Sequence, residues 1–131
     1  MSFRTKKRSP KVWILRFNAR NKDSAFSFHA IEQETKKVET RAATPKYRSI
    51  KRGDTLVLTL GKKKIERVVQ EATWFKDILA LLKKYPAEDI MPGHSVKELE
   101  SAYRSFPGYP GKIKKFGILG ILLRQASIMK V

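Results

Sequence analysis

The chain has 131 residues, 29 of them Lys or Arg against 12 Asp or Glu, for a formal net charge of +17. That length suits one domain, and 41% hydrophobic and 10% aromatic residues suffice for one core, so a globular fold rather than disorder is expected. With no cysteine, disulfides, cysteine-based zinc sites and a thiol nucleophile are excluded; with no apolar run near the ~20 residues of a membrane span and no signal-peptide h-region behind the basic N-terminus, a cytoplasmic location is expected.

Residues 1–11 are polar and basic and read as a flexible arm, leaving one domain over 12–131. Val12 to Phe17 is a short apolar run and predicts a strand. Ser24 or Asp23 is placed to cap a helix over roughly 24–34, with Phe28 and Ile31 on one face. Val38 to Arg41 predicts a second strand. Lys51-Arg52-Gly53-Asp54 reads as a turn. In Thr55 to Leu60, Leu56, Leu58 and Leu60 alternate with Thr55, Val57 and Thr59, the clearest period of two in the chain. Gly61-Lys62-Lys63 turns this strand into another, about 64–73, and so predicts a β-hairpin.

Trp74, Phe75, Ile78, Leu79 and Leu82 then follow helical spacing up to Pro86. Residues 87–94 read as a loop. Ser95-Val96-Lys97-Glu98 has the form of a capping box, opening a helix whose buried stripe is Val96, Leu99, Tyr103 and Phe106. The prolines and glycines of 107–111 predict a loop, and Phe116 to Leu123 a buried strand. The order strand, helix, strand, hairpin, two helices, strand predicts a small α+β barrel.

The segment from Glu34 to Arg41 resembles the G-x-K-x-x-E-x-R stretch of ASCH (activating-signal-cointegrator homology) proteins, members of the PUA-like superfamily. Lys36, Glu39 and Arg41 match it, and Glu34 stands at the Gly position. Tyr47-Arg48, the Gly53-Asp54 turn, Met91-Pro92-Gly93, Leu99, Tyr103 and Gly117 to Gly120 also follow the family's order of features. The resemblance spans most of 12–123. It implies a PUA-like/ASCH β-barrel with helices packed around it and a cleft beside the K-x-x-E-x-R strand, related to RNA-binding domains. Some bacterial members are amidohydrolases acting on N4-acetylcytidine, with K-x-x-T-x-R at this segment; ribonuclease activity has also been proposed for the family. Here Glu39 stands where the Thr of those hydrolases would be, and Thr40 falls on the opposite face of a strand.

On a strand over 37–43, Glu39 and Arg41 share a face, and the long stem of Lys36 reaches the same cleft. Such a carboxylate accepts a hydrogen bond from a base amino group, while the cations hold a phosphate or carbonyl. In an enzyme, Lys36 and Glu39 would be the acid–base pair. Tyr47 offers a stacking face, as do Tyr109 and Trp13, although Trp13 also suits the core. Arg48, Lys51 and Arg52, with Lys62 to Lys64 and Lys112, Lys114 and Lys115, form a surface suited to phosphates. Tyr103 lies on a buried stripe from which its hydroxyl can tip into the cleft. His29 and His94 have no third ligand near them in sequence, and no Walker or dinucleotide glycine pattern is present, so neither metal nor cofactor is expected. The reading is therefore a nucleic-acid partner, RNA in the first place, with no membrane and no obligate protein partner. Lys36, Glu39, Arg41, Tyr47, Arg48, Lys51, Arg52 and Tyr103 are its binding residues, and a small hydrolase using the same cleft is the alternative.

Overall fold

A computed structural model describes residues 9–125. The first eight residues of the expected basic arm and the last six of the expected domain lie outside the described residues. In chain order the elements are β1 (Val12–Phe17), α1 (Lys22–Glu32), β2 (Val38–Ala42), β3 (Thr55–Leu60), β4 (Lys63–Phe75), α2 (Ile78–Lys84), α3 (Ala87–Ile90), α4 (Val96–Ser105), α5 (Tyr109–Phe116) and β5 (Ile118–Leu123).

The five strands form one curled sheet in the order β1-β3-β4-β5-β2, a half-closed barrel with helices packed around it. The α+β barrel expected from the sequence is the fold found. β1 runs parallel to β3, and the other pairs are antiparallel. β3 and β4 form the expected hairpin around Gly61-Lys62, where Gly61 takes the left-handed conformation (φ 58°) that such a tight reversal needs. β4 is long because it serves both halves of the sheet. Its first half pairs with β3 and its second with β5, and the register shifts between Val69 and Glu71. An irregularity of this kind bends a strand and lets the sheet curl.

Two apolar clusters fill the molecule. Leu15, Phe28, Ile31, Leu56, Leu58 and Ile121 pack between α1 and one part of the sheet. Val38, Phe75, Leu81, Ile90, Leu99, Tyr103 and Ile113 pack beneath α2 to α5. Each fully buried side chain of this size contributes about 1.5–3 kcal/mol. Among the described residues, no helix is long and apolar enough to cross a membrane.

Several local expectations are corrected. The cap of α1 is Asn21, whose side chain accepts from the backbone of Asp23 and Ser24, so the helix starts two residues earlier than the sequence suggests. Trp74 and Phe75 end β4 rather than opening a helix; Asp77 caps α2, Leu81 is its buried residue and Leu79 is exposed. Ala87 to Ile90 make a short helical turn inside the expected loop. Tyr109 to Phe116 form α5, with Pro110 in its first turn. Proline is tolerated there because the first helical N–H groups have no intrahelical acceptor to lose. The capping box of Ser95 and Glu98 is present in both directions, but Val96 is exposed while Leu99, Ala102 and Tyr103 are buried.

Candidate functional site

The end of α1 delivers Lys36 to its position. Thr35 N donates to Ala30 O and Glu34 N to Ile31 O, the paired bonds of a Schellman turn. The residue at its corner is Glu34, which alone among the described non-glycine residues has a positive φ (64°). The Gly of the resembled segment falls at this position, where a left-handed backbone favours glycine. The chain then drops into β2, and Lys36 turns inward with 3% exposure.

β2 and β1 are the two edges of the curled sheet, and the seam between them holds a cavity of about 170 Å³. Lys36, Glu39, Arg41, Phe17, Tyr103 and Tyr109 are among its walls. Glu39, itself 4% exposed, sits between the two cations: Oε1 lies 3.5 Å from Lys36 Nζ and Oε2 lies 3.1 Å from Arg41 Nε. Lys36 Nζ also donates to the backbone carbonyl of Ile90 at the end of α3. Arg41 Nη2 donates to Arg16 O on β1, 3.3 Å away, and so ties the two sheet edges together. The guanidinium carbon lies 4.8 Å from the Phe17 ring centroid and 5.8 Å from that of Tyr47. Both are cation–π contacts.

Thr40 points away from Glu39 and Arg41, and its hydroxyl is hydrogen-bonded to that of Tyr103. It still borders the cavity. The Tyr103 and Tyr109 rings stack almost parallel, 6.3 Å between centroids.

Burial shapes the electrostatics. It pulls the Lys36 amine below the usual lysine range, and the adjacent Glu39 only partly offsets that. Burial also acts to lower the Arg41 guanidinium, but Glu39, Tyr109 and Tyr47 outweigh it and the net shift is upward. Burial pushes the Tyr103 phenol well above the usual range. It raises Tyr109 to about 12, with Arg41 opposing the shift. Lys36, Glu39 and Arg41 thus meet at the centre of the site, and burial keeps the two tyrosines neutral.

Of the residues expected at the site, Lys36, Glu39, Arg41 and Tyr103 converge on the cavity, and Tyr47 stands behind Arg41. Arg48, Lys51 and Arg52 do not line it; they are exposed on the loop that follows Tyr47. Trp13 is partly buried and donates its indole N–H to Asp54 Oδ2 at 2.8 Å, so its role is structural. Asp54 also accepts from the backbone of Lys11 and Lys51, which anchors this turn to β1. Phe17, Phe106, Met91 and the carbonyl of Arg16 are site features that sequence reasoning missed. Phe17 reads as plain core in sequence, and nothing along the chain signals that the ends of β1 and β2 meet. Among the described residues, no group of three or more His, Asp or Glu stands where it could hold a metal.

The chain matches no family model and no curated protein. It is similar in fold to several solved chains, two of them as follows. One is the crystal structure of hypothetical protein PH0355, with a TM-score of 0.70 and 25% identity, covering 86% of this chain and 97% of that one. The other is the solution NMR structure of protein PF0455 from Pyrococcus furiosus, with a TM-score of 0.64 and 25% identity, covering 88% of this chain and 97% of that one. Both reproduce nearly the whole fold, and neither name states an activity.

Proposed function

We propose that this protein is an RNA-binding domain of the ASCH type, cytoplasmic, whose seam cavity receives one nucleobase. One observation carries the reading: a Lys–Glu–Arg cluster lines a cavity of about 170 Å³, with Lys36 and Glu39 buried and Arg41 largely so. That volume is close to the roughly 150 Å³ of an engineered cavity known to hold one benzene ring. Burying three charges there is costly and does little for stability, so a ligand that uses them is the better explanation. The net charge of +17 supplies the long-range attraction to a polyanion. Arg48, Lys51 and Arg52, exposed on the loop that follows Tyr47, would hold backbone phosphates while a base enters.

The test is fluorescence anisotropy with a mixed single-stranded RNA, from about 50 to 200 mM salt. Affinity is expected to fall steeply with salt, and Arg41→Ala to weaken binding more than Lys62→Ala. A flat salt response would remove the polyanion, and equal effects of the two variants would remove the cavity.

A second reading, a small hydrolase, is favoured by the lowered pKa of Lys36 beside Glu39. A desolvated amine paired with a carboxylate is suited to acid–base chemistry on a water. Thr40 is a poor nucleophile here, since its hydroxyl is engaged by Tyr103. Turnover of N4-acetylcytidine that is abolished by Lys36→Ala would establish this reading over simple recognition.

A further inference from the structure

The polar wall of the cavity has a definite order. Glu39 lies between Lys36 and Arg41, so the wall presents donor, acceptor, donor. Each group has capacity left over. An ammonium has three N–H bonds; that of Lys36 directs one to Ile90 O and one towards Glu39, leaving one. A guanidinium has five N–H bonds; Arg41 uses one on Glu39 and one on Arg16 O, leaving three. A carboxylate accepts at about four lone-pair sites, and each oxygen of Glu39 meets one cation. Asn18, Ser24, Ser27 and Thr40 add polar groups to the lining, and beside them stand the apolar and aromatic side chains of Phe17, Met91, Leu99 and Phe106. They suit the faces of a flat ring.

We infer that the cavity selects a cyclic imide edge, C(=O)–NH–C(=O), the hydrogen-bonding face of a uracil-type ring. The inference rests on the cavity being a nucleobase site and specifies which base it takes. An imide edge reads acceptor, donor, acceptor and complements the wall at all three positions. The edge of cytosine reads donor, acceptor, acceptor. It would set its N3 lone pair against the Glu39 carboxylate and its amino group against a cation. Guanine matches two positions of three, but its two fused rings exceed a cavity near the size that holds one benzene ring. A site built around a buried acceptor rejects a ligand lacking the matching N–H, because the acceptor is then left without its partner.

Titration calorimetry at low salt with uncharged nucleosides tests this, since nucleosides carry no phosphate and leave the surface charge out of the measurement. Uridine, cytidine and N3-methyluridine are compared, beside short oligouridylate and oligocytidylate strands. Uridine is expected to bind at least tenfold more tightly than either of the other nucleosides. If only the strands bind, and oligouridylate binds at least tenfold more tightly, the inference stands with a base inside a strand as the ligand. If uridine, cytidine and N3-methyluridine bind equally, imide selection is overturned while the nucleobase site survives. If no nucleoside binds and strands bind without base preference, both readings fall. N3-methyluridine removes the N–H from the ligand, so this arm needs no variant protein that might misfold. Arg41→Lys, which keeps the charge but loses the fork, is expected to reduce the uridine preference in a protein with an unchanged far-UV spectrum.

Discussion

β2 and β3 are short strands of one sheet, yet they differ in what they bury. β3 alternates strictly, with Leu56, Leu58 and Leu60 buried and Thr55, Val57 and Thr59 only partly so. β2 is covered on both faces, and Glu39 and Thr40 are as buried as Val38 and Ala42. Lys36, just ahead of β2, is buried with them. β3 therefore stabilises the fold through apolar area. β2 removes charges from water at a site where apolar side chains of similar volume would cost less. The contrast separates a strand that makes the barrel from one that makes its cavity.

The sharpest way to break that contrast is to remove charge from β2 in two ways. Glu39→Ala strands two buried cations and is expected to destabilise by about 3–5 kcal/mol. Replacing the whole cluster, with Lys36→Met, Glu39→Leu and Arg41→Leu together, is expected to be neutral or to stabilise by up to about 1–4 kcal/mol while ligand binding is lost. In β3 no such recovery exists: Leu58→Ala simply loses about 2–5 kcal/mol of packing. Urea denaturation of the three proteins makes the comparison. A triple variant as unstable as Glu39→Ala would show that the cluster is structural, and the contrast would fail.

The two strands were also unequally legible. The alternation in β3 needs only adjacent residues, so its face and its hairpin could be read directly from Thr55 to Leu60. The shared face of Glu39 and Arg41 followed from the same period of two, and Lys36 was identified through the resemblance. What sequence could not supply was the partner edge. The Arg41 contact with Arg16 O and Phe17 spans 24 or more positions and depends on how far the sheet curls. That curl is set by the irregularity between Val69 and Glu71, which leaves no mark in composition. The helix that starts at Tyr109, a residue the sequence offered as a stacking face, was read as a loop for a different reason. Proline and glycine at 110 and 111 read as breakers, and the first turn of a helix is the one place where such a proline fits.

Tyr109 also sharpens the comparison through pH. Its folded pKa of about 12 lies above the ordinary tyrosine value near 10. Between those two values the unfolded chain has released its proton and the folded chain has not. The unfolded state then binds fewer protons, so stability falls as pH rises through this window. The gap of two pH units corresponds to at most about 2–3 kcal/mol. Tyr109→Phe is expected to flatten the loss of stability between pH 10 and 12 relative to wild type, as read from thermal melts across that range. Equal slopes for wild type and Tyr109→Phe would mean that Tyr109 is more open to water than the stacked geometry implies.

The smallest effect concerns the corner that leads into β2. Glu34 holds φ 64° at the turn of the Schellman motif. A side chain in that conformation costs roughly 1–2 kcal/mol, while glycine gives back part of the gain through its freer unfolded chain, about 0.5–1 kcal/mol. Glu34→Gly is therefore expected to stabilise by about 0.5–1 kcal/mol, raising Tm by a few degrees. The comparison that isolates the backbone is Glu34→Gln, which removes the same charge but keeps a Cβ and is expected to lack this gain. If Gln stabilises as much as Gly, the effect comes from charge or side-chain contacts. If only Gly stabilises, the turn before Lys36 carries strain that the fold tolerates in order to place a buried amine at the mouth of β2.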